Sequence, residues 1–248
     1  MSLLIRNARV LTLAGPHPRR GPAMRDLAVI DPCDVLVSGV TINAVGPKLA
    51  VPSGAFEDLD ARGRVLMPGF VDCHTHMCWA GSRIDEWERK LAGASYLDML
   101  KAGGGIMSTV RAVRAAPLDE LVRCTRERID RALSQGTTTV EIKSGYGLTT
   151  EAELKMLDAI RAAAVGANAT VVLTALLGHA LDADVPREEF IRTTIERTLP
   201  AVRERFGAIA VDAFCETGAW MVDECVRLFE AARGLGGEGH PIRVHADQ

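Results

Sequence analysis

The histidines of this chain carry the first hint of chemistry. His74 and His76 stand at i and i+2, and residues two apart on a strand point to the same face. Two imidazoles at the carboxyl end of such a strand can ligate one metal ion. His245 ends another apolar stretch, Ile242-Arg243-Val244-His245. If the fold brings it to the same rim, three His hold an ion and leave one position for water or an anionic ligand. A lone His-x-His is also what two polar residues in a turn look like, and His245 taken alone reads equally well as a structural or exposed histidine. The place of the pair after a buried strand favours the metal reading.

Other residues could bind a ligand. Arg83 lies in the loop after His76 and can form a bidentate pair with a carboxylate, though a lone loop arginine is usually just solvated. In Lys143-Ser144-Gly145-Tyr146-Gly147 the glycines let backbone approach a ligand, and Tyr146 can offer its hydroxyl. An ordinary Gly-rich turn has the same composition. Glu141 and Lys143 share one strand face, as an inward ion pair or as groups touching the site. His179 follows Leu176-Leu177-Gly178 and is otherwise a satisfied core-edge histidine. Gly103-Gly104-Gly105 lacks the Lys-Ser/Thr that completes a P-loop and reads as a substrate-contacting or hinge loop. Tyr96, just before it, is a weaker contact candidate. Cys73 and Cys78 bracket the histidine pair without a second Cys or His pair at zinc-ribbon spacing, so both read as packing cysteines.

These residues need a scaffold. Residues 3–67 are β-rich, with strand candidates at Leu3–Leu11, Leu27–Ile30, Asp34–Val40 and Arg64–Leu66, punctuated by Gly15-Pro16, Asp31-Pro32 and Gly46-Pro47. Few apolar residues of this unit could bury well alone. After Pro68-Gly69 short apolar strands alternate with helical patterns. Strands are expected at Phe70–His76, Thr138–Ser144, Thr170–Leu177, Ala210–Cys215 and Ile242–His245, and helices near 94–101, 118–134, 150–165, 187–205 and 220–234. The later strand starts, 138, 170, 210 and 242, recur at the roughly 30-residue spacing of a (β/α)₈ barrel. A doubly wound sheet would show the same alternation but would place a Gly-rich phosphate turn after its first strand; His74-Thr75-His76 stands there instead. Five strands are legible where a barrel needs eight, so the chain is expected to be a fragment of a longer fold.

Composition narrows the class. The chain has 248 residues, 29 Lys plus Arg against 32 Asp plus Glu, and 48% hydrophobic residues. That is an ordinary balance for a packed core, and it lacks the basic excess of a nucleic-acid binder. Arg6 and Arg9 interrupt the opening apolar stretch before it reaches signal-peptide length. No run approaches the roughly 18 apolar residues of a membrane span. Six cysteines without a signal read as free thiols in a reducing compartment, so a cytoplasmic location is expected.

Together, Pro68-Gly69-Phe70-Val71-Asp72-Cys73-His74-Thr75-His76, Ala102-Gly103-Gly104-Gly105-Ile106, Glu141 to Gly147, Ala213-Phe214-Cys215-Glu216 and His245-Ala246-Asp247-Gln248 resemble the amidohydrolase superfamily and, within it, the imidazolonepropionase family. The first stretch is common to the superfamily; the AGGGI and EIKSGYG segments are far more specific. The resemblance implies an α/β fold: a metal-dependent amidohydrolase TIM barrel, cut after about five βα units, over residues 68–248. Residues 1–67 would be the N-terminal part of a composite β-sandwich. It implies one Zn²⁺ or Fe ion per subunit, held by His74, His76, His245 and an Asp beyond residue 248. It implies hydrolysis of the cyclic amide of 4-imidazolone-5-propanoate to N-formimidoyl-L-glutamate in histidine degradation, and a homodimer. The positions matching the family's substrate contacts are Arg83, Tyr146, His179 and Gln248. Gln248 can orient a ring by hydrogen bonds but cannot carry a proton, so the proton-transferring residues are expected beyond residue 248 and the isolated chain is expected to turn over poorly. Competing readings are a cytosine-deaminase-like or hydantoinase-like amidohydrolase, and a non-catalytic ligand-binding remnant. A deaminase would prefer Glu at 248, and a binuclear hydantoinase would use a Lys on the strand Ala210–Cys215, which has none.

Overall fold

The pattern change after Pro68-Gly69 coincides with a boundary between two compact units, Met1–Gly69 and Phe70–Gln248. The structure, a computed structural model, describes residues 2–93, 104–237 and 239–246. The helix candidate at 94–101, Tyr96 and Gln248 lie outside the described residues.

In the first unit, β1 (Ser2–Leu11), β2 (Val29–Ser38), β3 (Thr41–Gly46), β4 (Phe56–Asp60) and β5 (Val65–Leu66) form one sheet in the order β3-β2-β1-β4, with β5 also on β1. β2 runs antiparallel to β1, while β4 and β5 run parallel to it. The buried apolar cluster is small: Ala8, Val10, Cys33, Val35 and Ala61. The two expected strands 27–30 and 34–40 are a single strand. The pairing slips between Ala8↔Cys33 and Val10↔Ile30, and this bulge takes up Pro32, which has no N–H to give to a ladder. β3 and β4 were not expected from the sequence. Three of the five β4 residues are acidic, a poor strand composition; pairing with β1 holds it, and Arg6 Nε on β1 donates to Asp58 Oδ2 at 3.0 Å.

In the second unit, β6 (Phe70–Thr75), β7 (Thr137–Lys143), β8 (Thr170–Gly178), β9 (Ala210–Cys215) and β10 (Ile242–Ala246) form an all-parallel sheet in chain order. Helices fill the connections: α1 (Ile84–Leu91), α2 (Ile106–Ala115), α3 (Leu118–Ser134), α4 (Thr150–Ala164), α5 (Arg187–Thr193), α6 (Leu199–Phe206) and α7 (Val222–Gly234). α1 and α2 had not been expected. The expected helix 187–205 carries a π-type turn at Thr194–Thr198, next to Pro200, whose missing N–H cannot continue the i→i−4 ladder. Gly136 and Gly207, at φ +93° and +73°, end α3 and α6 in a conformation that side chains disfavour.

The strands alternate. Val140, Ile142, Ala175, Val211 and Ala213 join the helices in the apolar core. Glu141, Lys143, Thr174 and Asp212 occupy the alternate positions and are buried as well. The second face of the sheet is thus polar and, over its central strands, buried. Cys78 packs in the core as expected, but Cys73 is exposed, because it lies on the edge strand β6. No described helix is long and apolar enough to cross a membrane.

Candidate metal centre and ligand cleft

The residues singled out for chemistry sit at the carboxyl ends of the parallel strands, where open and closed α/β sheets bind ligands. A flat sheet would hold β6 and β10 four strand spacings apart, about 19 Å. Yet the ring of His74 on β6 lies 5.0 Å from that of His245 on β10. The sheet is therefore curled, and its first and fifth strands face each other across its polar side. His76 joins them, 5.3 Å from His74 and 6.1 Å from His245 between ring centroids. One nitrogen from each of the three lies within 4.8 Å of the others.

The donor set fits a transition-metal ion. Burial, reinforced by the nearby His179, pushes the His76 imidazole down to about 3, and burial next to Lys143 lowers His74. Both rings are thus neutral at physiological pH, the form that ligates. His76 Nδ1 is buried without a hydrogen-bond partner, a cost that a ligated nitrogen does not bear. His245 Nδ1 faces Asp212 Oδ1 at 3.2 Å; since a carboxylate accepts, Nδ1 carries the proton and Nε2 is left for an ion. Asp212 Oδ2 in turn takes Lys143 Nζ at 2.6 Å, Lys143 donates to Glu141 Oε1 at 2.7 Å, and Arg243 reaches the same Glu141 oxygen at 2.5 Å. The row holds two carboxylates and two cations. The inward pairing of Glu141 and Lys143 expected from the sequence is present.

Beside the histidines lies a cleft of about 320 Å³, lined by His76, Trp79, Arg83, Ser108, Thr109 and Tyr146 among others. Arg83 donates through Nε and Nη2 to Glu86 Oε2 at 2.9 and 2.8 Å. Glu86 also accepts the Gly105 N–H at 3.1 Å and so ties Arg83 to the start of α2. The Tyr146 and His179 rings meet at a tilt of 58°, 5.0 Å apart, and His179 stacks on His76 at 5.1 Å and 28°. His179 Nδ1 stands 2.8 Å from the Gly145 carbonyl oxygen, and burial pulls its ring down to about 4. Burial raises the Tyr146 phenol, which stays protonated.

Comparison with known proteins narrows the chemistry. No protein-family model matches the chain. Curated imidazolonepropionases do. The protein of Chloroflexus aggregans is 42% identical over 99% of this chain, that of Myxococcus xanthus 43% over 100%, and that of Bradyrhizobium sp. 44% over 98%. Over nearly its whole length the chain is thus similar to imidazolonepropionases. It spans about 60% of the length of the curated imidazolonepropionases it matches, 60%, 59% and 58% for these three. Among solved structures, a triazine hydrolase variant superposes with a TM-score of 0.63 at 17% identity, over 99% of this chain and 52% of that one. An amidohydrolase gives 0.58 at 18%, over 99% and 56%. These likenesses show the amidohydrolase fold.

Against that family background, sequence reasoning had missed three groups around the site. Asp212 is the one acidic residue of an otherwise apolar strand, and its isolation was the available signal. Glu86 sits three residues after Arg83, and Glu153 eight after Gly145, at separations that mean nothing until the loops are folded.

Proposed function

We propose that the protein hydrolyses the cyclic amide C–N bond of 4-imidazolone-5-propanoate to N-formimidoyl-L-glutamate, a step of histidine degradation carried out in the cytoplasm. The observation that carries the reading is the convergence of His74, His76 and His245 beside a cleft that contains Arg83. The curated imidazolonepropionases support the substrate. The curled five-strand sheet supports the finer architecture, the first five units of an amidohydrolase barrel over 68–248, with residues 1–67 contributing part of a β-sandwich. A zinc or iron ion would be held by the three histidines; one solved relative of the fold, an atrazine chlorohydrolase from Arthrobacter aurescens TC1, is described with zinc. When bound, such an ion lowers the pKa of water toward neutrality and polarises a carbonyl.

The chain's own residues then bind and orient. Arg83, steadied by Glu86, pairs through its remaining N–H groups with the propionate carboxylate. The Tyr146 hydroxyl donates to a polar atom of the ring. His179, protonated on Nδ1 and neutral, offers Nε2 as an acceptor for a ring N–H. Lys143, clasped between Glu141 and Asp212, balances the charge of the two carboxylates and holds Asp212 toward His245. Gln248 orients the ring without exchanging protons.

The test is turnover by the protein expressed from the complete reading frame, with substrate loss and N-formimidoyl-L-glutamate formation followed by mass spectrometry. Turnover that is abolished by chelation and restored by zinc or iron is expected. A protein loaded with metal that leaves the substrate intact would overturn the reading.

A further inference from the structure

The loop between β7 and α4 is held from behind by one carboxylate. Glu153, on the first turn of α4, is 3% exposed. Its Oε2 accepts the Gly145 N–H at 2.9 Å, and its Oε1 accepts those of Gly147 and Leu148 at 2.7 and 2.9 Å. Three converging N–H donors suit an anion and nothing else of that size. The loop is also pressed close on both sides. A Cβ at Gly147 would meet the Glu153 backbone nitrogen at 2.5 Å, and one at Gly145 would meet His179 Nδ1 at 2.9 Å and the Leu176 carbonyl oxygen at 3.0 Å. Gly145 therefore links two contacts: its N–H points to Glu153 and its carbonyl oxygen takes the proton of His179 Nδ1. A carbonyl can only accept, so this contact sets the tautomer of the neutral ring and leaves the lone pair on Nε2.

We propose that Glu153 is the positioning residue of the ligand face, clamping Gly145–Leu148 so that His179 keeps the Nδ1–H tautomer and Tyr146 stays beside it. The inference rests on the reading of His179 and Tyr146 as ligand contacts and deepens it: an Nε2 lone pair selects a ligand that presents an N–H or O–H donor at that edge. Glu153 touches no ligand; it acts through the loop. Glu153→Gln keeps the shape but sets an NH₂ donor against backbone N–H groups.

The experiment combines two measurements on the wild-type protein with one variant. Hydrogen exchange should show the Gly145, Gly147 and Leu148 amides protected as strongly as the strands, and long-range ¹H–¹⁵N correlation of the histidine rings should show His179 protonated on Nδ1. Glu153→Gln should mix the His179 tautomers and raise KM about tenfold while kcat stays within about threefold and metal content is unchanged. Fast exchange of the three amides, an Nε2–H ring in the wild type, or a variant with unaltered KM and His179 spectrum would each overturn the proposal. If the variant does not fold, exchange and tautomer in the wild type still decide. A protein that shows both but leaves 4-imidazolone-5-propanoate intact would sink the proposed substrate and leave the clamp standing.

Discussion

Asp212 Oδ1 lies 3.2 Å from His245 Nδ1, and its other oxygen lies 2.6 Å from Lys143 Nζ. One carboxylate thus fixes the tautomer of a histidine in the proposed metal centre while Lys143, two strands away on β7, faces its other oxygen. Partners of this kind typically contribute about 10–100-fold in metal affinity. Asp212→Asn should weaken zinc binding by about that factor, measured by competition with a chromophoric chelator, without displacing the strand. Equal affinity in the variant would show that His245 is oriented by something else.

Lys143 is 1% exposed and faces both Glu141 and Asp212. Removing it leaves two buried carboxylates with Arg243, among the described residues, as the cation paired with Glu141. Lys143→Met should cost about 3–5 kcal/mol in urea unfolding, the usual penalty for breaking rather than replacing a buried ion pair. A loss below about 1 kcal/mol would place the row in a wetter setting than its burial implies.

How much of this was legible beforehand follows from where the signals lie. The strands β6 to β10 are apolar runs bounded by glycines, and their positions could be read within a residue or two. β3 and β4 were not, because Thr41–Gly46 is short and β4 is acidic; both are strands by virtue of pairing. α1 was missed because five of its eight residues are charged, which blurs an apolar face. The candidate histidine ligands announced themselves by type. Asp212, Glu86 and Glu153 did not, since each is defined by the group it meets across the fold.

Arg83 pairs with Glu86 along one edge of its guanidinium, and the proposed function gives the remaining N–H groups to the ligand's carboxylate. Arg83→Ala should raise KM for 4-imidazolone-5-propanoate about tenfold or more with metal content unchanged, and Arg83→Lys should recover part of the loss, because an ammonium cannot reproduce the planar fork. An unchanged KM in steady-state kinetics would assign the carboxylate contact elsewhere.

Glu224 meets Arg187 through two bonds of 2.6 Å and accepts the Met221 N–H at 2.7 Å at the start of α7. The Arg187 guanidinium holds its carboxyl below the ordinary carboxylate range. A depressed folded pKa stabilises the protein above the unfolded value and ceases to do so as pH falls through the folded one. Urea midpoints taken at falling pH should therefore decline more steeply in the wild type than in Arg187→Ala below about pH 4.3, the unfolded glutamate value. Parallel declines would remove this pair from the acid response.

The central claim is that three imidazoles from the first and fifth strands of one curled sheet hold a single ion. Zinc K-edge X-ray absorption on the protein loaded with one equivalent of Zn²⁺ tests it directly. The account predicts at least three imidazole nitrogens at about 2.0–2.1 Å, no sulfur, and loss of one imidazole in His245→Ala. A first shell with thiolate at about 2.3 Å, or one unchanged by that substitution, would contradict it.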